Sequence, residues 1–365
     1  MIWFAALIPL VFAISAFLFK NVFFWVRLII SSIVTFLLIS LINGLTIYGL
    51  TADTEYWTNF LDSVAYFESW TEEEVIIGTD VNGNTTVDID TTRHPAQYKG
   101  YIGKIEFNIT SNQYQQIKYL WDNEKFYNLS RFGQISINDG DKYASFWNPN
   151  QIKGAIAVTT LHSYFNPVPK SNLNRFPKVS PEDVKNYHLF DYPKISNYTL
   201  SASSILGDNP PENIQQDLNY LNAKLGPIKQ IKIWILVFND QNQQVAKIQE
   251  AYWVGGNKNE LVICIGLNDK KVAWCKPFSW CDKELPDTNR MYSTLINGIE
   301  SQGVIEWDKT LQVIEDATQY WHRRSFSELD YVLIPIPIYV VVIAYLLAIV
   351  GNFVVFFVVD ENAFQ

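Results

Sequence analysis

The feature that most constrains this chain is an uncharged run near its C-terminus, Tyr331–Val359, YVLIPIPIYVVVIAYLLAIVGNFVVFFVV. A helix needs about 20 apolar residues to cross about 30 Å of hydrocarbon, so this run is long enough to span a bilayer. Two further apolar stretches lie at the N-terminus. Ile2–Phe19 carries no charge, and roughly Val22–Leu50 carries only Arg27. No basic segment precedes the first and no small-residue cleavage site closes it, so the two read as an uncleaved hairpin of spans. Ser31, Ser32, Ser40, Gly44 and Gly49 in the second span suit close helix approach in lipid. Pro335 and Pro337 fall where the last span starts, the part of a helix that tolerates a missing donor.

These ends divide the chain. The expected organisation is a transmembrane hairpin over 1–50 (spans about 2–19 and 22–50) and a β-rich membrane-proximal part over 51–165. An irregular Pro/Asn-rich connection over 166–212 leads to an α/β domain over 213–330, a third span over 331–359 and an acidic tail over 360–365. The fold class is thus α+β/α-β, membrane-anchored, with three transmembrane helices. Lys20 and Arg27 at the hairpin balance Arg323 and Arg324 before the last span, so the positive-inside rule does not orient the protein.

Residues 51–330 suffice for one large core or two small ones. Aromatics make up 15% of the chain, charged residues only 18%, and the net charge is −9. An acidic balance without a basic cluster argues against nucleic acid as a partner, since phosphate binding rests on Lys and Arg. Three cysteines, Cys264, Cys275 and Cys281, are too few for a disulfide framework; they read as unlinked thiols, with a Cys275–Cys281 bridge as the alternative.

In the first part, TEEEVIIGT and TTVDIDTT flank Asp80–Asn84, a hairpin signal built on Asn82-Gly83. Ile105, Phe107 and Ile109 alternate as in a half-buried strand. Ser111-Asn112 then offers a cap to a helix with Tyr114, Ile117, Leu120 and Trp121 on one face. The second part changes rhythm. Asn213–Leu225 reads as a helix stopped by Gly226-Pro227. IKIWILVF (231–238) reads as a strand covered on both faces, followed by a helix over Asn242–Trp253 that ends at Gly255-Gly256. LVICIGL (261–267) and VAWCKPFSW add two strands, and helices over about 287–301 and 305–325 close the domain.

That order, with a strand entered through Asn257-Lys258-Asn259-Glu260, resembles a TPM domain over about 213–325. QEAYWVGGNKNELVICIG, DTEYW and YWHRRSFSELDY are similar to an uncharacterised family of membrane proteins from bacteria and their phages. The resemblance implies an α/β module placed outside the cytoplasm of a bacterial inner (plasma) membrane or a phage-infected host membrane. The sequence departs from TPM domains where it reads Asn-Lys-Asn-Glu and CKPFSW, which weakens any transfer of their phosphatase or metal chemistry.

Few residues carry chemistry of their own. His94, His162, His188 and His322 are scattered, so no metal site is expected and no cofactor motif is present. Asn257, Lys258, Asn259 and Glu260 form a candidate polar cluster for an anion or a partner, or a solvated turn after a Gly-Gly cap. Asp53, Glu55, Tyr56 and Trp57 follow the second span, while His322, Arg323 and Arg324 precede the third. They form a candidate membrane-proximal collar in which Asp53 or Glu55 pairs with Arg323 or Arg324. The expected partners are the lipid bilayer and a protein partner or a second copy. The leading function is non-enzymatic presentation of an extracytoplasmic domain for protein binding or self-assembly. A TPM-type hydrolase, using Asp240, Glu260 and Asp269, is one alternative; a transport component marked by Arg27 is the other.

Overall fold

A computed structural model describes residues 8–9, 14, 24–79, 83, 85–127, 140–151, 154–168, 176–207, 210–280, 286–323, 325 and 332–358. The chain divides into two compact units, one of 1–54, 163–176 and 324–365, the other of 55–162 and 177–323. In chain order the elements are α1 (Phe24–Thr51), β1 (Ala52–Phe60), β2 (Ser63–Phe67), β3 (Trp70–Thr79), β4 (Thr85–His94), β5 (Gln97–Ile102), β6 (Ile105–Asn108), α2 (Ser111–Trp121), β7 (Lys125–Tyr127) and β8 (Lys142–Phe146). They continue with β9 (Ala157–Phe165), α3 (Pro181–Asn186), β10 (Thr199–Leu200), β11 (Ile205–Leu206), α4 (Glu212–Lys229), β12 (Lys232–Asn239), α5 (Gln244–Tyr252), β13 (Glu260–Asn268), β14 (Lys271–Ser279), α6 (Pro286–Glu300), α7 (Trp307–Thr318) and α8 (Ile338–Val358).

The first unit is built on α1 and α8. Within α1, Ile29–Thr51 is long and apolar enough to cross a membrane by length and composition, and α8 contains a shorter apolar run over Ile338–Val354. The two helices are antiparallel, because Ser31 and Thr35 meet Asn352 while Ile39 packs in one cluster with Val340, Ala344 and Ala348. Asn352 is sealed from solvent and fully used. Its Oδ1 accepts from Ser31 Oγ, and its Nδ2 donates to Thr35 Oγ1 at 2.6 Å and to the Ala348 carbonyl at 2.7 Å. A buried amide left unpaired among apolar side chains would cost several kcal/mol, so this three-way bond fixes how the helices meet. Their outer faces are apolar and exposed, as at Ile33, Leu37, Leu41, Val342, Leu346 and Val350. The proposed N-terminal span lies mostly outside the described residues, but Ile8 is helical and packs against the same cluster.

In the second unit, five antiparallel strands form a sheet in the order β6-β5-β2-β8-β7. α2 lies on one face of it, burying Tyr114 and Ile117 against Leu61, Val64 and Phe107. The helix starts one residue earlier than Ser111 suggests. Thr110 is the cap, and it exchanges bonds with Gln113 in a capping box. Ile105 and Leu120 are exposed, so the apolar faces drawn from the sequence were each one residue too wide. β3 and β4 stand apart as a two-stranded ribbon, paired from Trp70↔His94 to Thr79↔Thr85.

The centre of this unit is a four-stranded sheet in the order β11-β12-β13-β14, parallel through the first three strands and antiparallel at the last. Every residue from Lys232 to Phe238 and from Glu260 to Leu267 is buried. One face packs against α4, α6 and α7 through Leu218, Leu225, Leu295 and Ile314. The other packs against α5 and the segment around α3, through Trp234, Phe238, Val245, Trp253 and Leu189. The stretch over 166–212 is therefore more than a connection. It supplies α3, β10, β11 and an apolar layer, and the unit boundaries do not fall between a β-rich and an α/β domain. The links β11–α4–β12 and β12–α5–β13 step the same way across the sheet yet pack on opposite faces. They therefore have opposite handedness, and one of them departs from the right-handed rule.

α4 does not stop at Gly226-Pro227. It continues to Lys229 and ends where Gln230 takes a left-handed conformation and donates to the Gly226 carbonyl at 2.8 Å. A proline in the last turn forfeits one bond without breaking the helix. Gly226 serves another purpose: a Cβ there would sit 2.1 Å from the Thr58 carbonyl oxygen of β1. The last helix is shorter than the expected 305–325, because α7 ends at Thr318. Gly226→Ala is expected to destabilise the protein by about 1–3 kcal/mol or more, seen as a lowered thermal midpoint, since backbone rather than a pliable side chain blocks the methyl group.

Candidate functional site

The cluster Asn257-Lys258-Asn259-Glu260 is neither a solvated turn nor an open binding surface. Lys258, Asn259 and Glu260 are buried. Gly255 and Gly256 both take positive φ, which turns the chain out of α5, and a Cβ at Gly256 would come within 2.9 Å of Glu260 Oε2. Glu260 then accepts from the Asn257 backbone N–H at 2.7 Å, from Trp234 Nε1 at 3.1 Å and from the Tyr192 hydroxyl. Asn257 Nδ2 donates to the Tyr192 hydroxyl at 2.9 Å, and Asn259 Nδ2 donates to the Tyr56 carbonyl at 2.6 Å. The cluster ties the start of β13 to β1, β12 and the segment after α3.

Beside it lies a residue that the sequence reading passed over, Lys232, paired in register with Glu260. Its ammonium donates to Ser204 Oγ at 2.8 Å and lies 4.8 Å from the centre of the Trp234 ring. Burial, opposed by the Glu260 charge, pushes the Lys232 ammonium down to about 8; burial likewise raises the Glu260 carboxyl. A serine hydroxyl on a lysine is the pairing of Ser–Lys catalysis, but both side chains are sealed from solvent and no substrate can reach them. The signal was present in the sequence: one charge near the start of an otherwise apolar run.

The collar residues separate. Glu55, which is buried, forms an ion pair with the half-buried Arg323. Asp53 instead accepts from Asn166 Nδ2 at 2.8 Å and from the Tyr164 hydroxyl at 3.3 Å. Tyr56 takes part through its carbonyl, and His322 lies 3.3 Å from Asp287. Arg324 lies outside the described residues. Trp57 stacks on His162, with ring centres 3.3 Å apart and planes 11° from parallel. The Thr160 hydroxyl contacts His162 Nε2 at 2.7 Å, accepts from Asn59 Nδ2 at 2.8 Å and donates to the Trp57 carbonyl at 3.3 Å. The hydroxyl has one proton for the Trp57 carbonyl or for His162 Nε2, so it can serve a neutral imidazole in either tautomer. Burial, and after it the Arg323 charge, pushes this imidazole down to about 4.

The carboxylates of a hydrolase do not converge. Asp240 N–H bonds the Leu267 carbonyl, which places Asp240 beside Asp269 at the carboxyl ends of the strands, whereas Glu260 opens β13. Eight extended residues, hence nine steps, separate Glu260 from Asp269, roughly 30 Å along the strand. Among the described residues no three His, Cys, Asp or Glu side chains gather as metal ligands. Cys264 and Cys275 are free, buried thiols, and Cys281 lies outside the described residues.

Two measurements probe these networks. Glu260→Ala strands three donors and the Lys232 charge and is expected to cost about 3–5 kcal/mol in denaturant unfolding; Lys232→Met leaves the Glu260 carboxyl buried without its opposing charge and is likewise destabilising. For His162, the unfolded imidazole protonates near pH 6.5 and the folded one near 4. Stability is then complete above about pH 6.5 and is lost as pH falls toward 4. His162→Phe, which keeps a ring on Trp57, should flatten that acid slope in thermal unfolding.

Compared with protein-family models, curated proteins and solved structures, the chain matches none.

Proposed function

We propose that this is a multi-pass membrane protein that presents a non-enzymatic, extracytoplasmic body for binding a protein partner or for self-assembly. The observation that carries the membrane part is the α1–α8 pair, apolar outside and locked inside by Ser31, Thr35 and Asn352. In water such an outer surface would be a large exposed apolar patch; in lipid it is matched to its solvent. Twenty-one residues of α8 span about 31 Å, enough for the hydrocarbon core, so both helices are read as spans. Thr51 and Ile338 lie at the same end of this antiparallel pair, so the chain leaves and re-enters the bilayer at one face. The N-terminal apolar segment supplies the third span.

The β3–β4 ribbon supports the binding role. Ile77 and Val87 are register partners, 71% and 63% exposed, and Ile89 shares their face at 56%. A lone hairpin is marginally stable in water, and an apolar face on it suits contact with another protein. The extracytoplasmic side rests on the resemblance to TPM domains, and the resemblance to membrane proteins of bacteria and their phages favours an inner-membrane setting.

The test uses the full chain in bacterial membranes, with a reporter cysteine at the exposed Tyr119 and a maleimide that does not cross lipid. Tyr119→Cys is expected to label in intact spheroplasts; labelling only after permeabilisation would overturn the extracytoplasmic reading. Ile77→Asp with Val87→Asp should abolish any self-association seen by crosslinking while leaving the thermal midpoint within about 1 kcal/mol of the parent, as for exposed positions.

A further inference from the structure

The pairing of opposite-handed crossovers has a consequence at the carboxyl end of β12. The chain leaving β11 passes to one face of the sheet and the chain leaving β12 to the other. Adjacent parallel strands whose connections diverge in this way leave a crevice at their carboxyl ends, the place where open α/β sheets bind ligands. At the β12 side of this region a cleft of about 400 Å³ opens between the β12–α5 turn (Asn239, Asp240, Gln241, Asn242 and Val245) and the end of α3 with the residues after it (Asn186, Tyr187 and His188).

We propose that this cleft is a binding site for a neutral, polyhydroxylated ligand, a mono- or disaccharide unit. Its chemistry carries the assignment. Of four lining amides, those of Asn186, Asn239 and Gln241 are unbonded and offer paired donors and acceptors, Asp240 offers an acceptor, and the Tyr187 ring adds a flat apolar edge. Vicinal hydroxyls, each both donor and acceptor, match such a set. Among the described residues no Lys or Arg lines the cleft, so an anion meets the Asp240 carboxylate rather than a lysine or arginine counter-charge. A single carboxylate without an aromatic cage is a poor site for an organic cation.

The walls are held in place. The Asp240 N–H bonds the Leu267 carbonyl at 2.8 Å, Trp274 Nε1 donates to the Gln241 carbonyl at 2.7 Å, and Asn242 Oδ1 accepts from the Gln244 N–H at 2.9 Å. On the other side, the Tyr187 N–H bonds the Asp183 carbonyl at 2.9 Å and the Leu189 N–H bonds the Val184 carbonyl at 3.0 Å. The loops therefore spend backbone groups on rigidity. The side chains of Asn186, His188, Asn239, Asp240 and Gln241, by contrast, make no hydrogen bond or ion pair within the described structure and stay available. A cleft of this volume suits one or two sugar rings. Nothing in this assignment depends on the side of the membrane or on the ribbon.

The test is saturation-transfer NMR and calorimetry on the full chain in detergent, using glucose, N-acetylglucosamine, maltose and chitobiose, with inorganic phosphate as the anionic probe. At least one saccharide is expected to bind, with Asn239→Ala and Gln241→Ala each weakening it tenfold or more and phosphate not competing. Because Asn239 is exposed, Gln241 is half-buried and neither side chain is hydrogen-bonded, both variants should keep the parent's thermal midpoint, which separates lost binding from lost fold. No saccharide binding, binding unchanged in both variants, or phosphate binding that the variants abolish would each overturn the proposal.

Discussion

The rest of the structure depends on the two-sided burial of the β12–β13 pair. Once both faces of these strands are covered, their ends carry polar groups that water cannot reach, and each must be satisfied from within. This explains why Lys232 and Glu260, which stand together in the parallel register, are wrapped by Ser204, Thr58, Trp234, Tyr192 and the Asn257 N–H. The two charges attract without forming a salt bridge, and that attraction is weak support for stability, since desolvating both charges offsets it. Its effect here is on placement. Tyr192 holds the segment after α3 against one face of the sheet, while Asn259 and Thr58 bring β1 to the strand ends.

The same accounting runs through the apolar helices. Asn352 in α8 is a liability among apolar side chains unless its groups are engaged, and Ser31, Thr35 and the Ala348 carbonyl engage them. Small residues at Ala344 and Ala348 let the helices approach closely enough for those bonds to form. Polar satisfaction thus specifies contact in both units, where apolar burial alone would tolerate sliding.

Much of the architecture was legible in the sequence, for physical reasons. The continuous apolar runs at 231–238 and 261–267 can belong only to strands covered on both faces, and β12 and β13 are such strands. The Asn82-Gly83 signal marked the β3–β4 ribbon, although of Asp80–Asn84 only Gly83 lies within the described residues. What misled was local punctuation. Gly226-Pro227 looked like a helix stop, yet the glycine is demanded by the Thr58 carbonyl of a strand over 150 residues away in the chain, which no local pattern encodes. The Pro-rich stretch over 166–212 looked like a linker because its apolar residues, such as Val184, Leu189 and Tyr192, follow neither helical nor strand spacing. The candidate site was legible only in part. Glu55 and Arg323 were expected near each other and are paired, whereas Asp53 is held by Tyr164 and Asn166. His162 carried no sequence signal at all; its partner Trp57 comes from β1, on another strand.

The contrast between the two polar regions of the four-stranded sheet bears on function. At the amino ends of β12 and β13, charges and amides are buried and almost wholly spent on one another, which is the chemistry of a structural clamp. At the carboxyl end of β12, the exposed Asn186, Asn239 and Asp240 and the half-buried Gln241 are unbonded and gathered around a cleft on loops fixed by their backbones. Composition does not distinguish the two regions, since both are rich in Asn with an acidic residue. Burial does, because a side chain whose hydrogen-bonding capacity is already used has nothing left for a ligand. The most conspicuous motif in the sequence, Asn257–Glu260, is for that reason the less promising place to look for one.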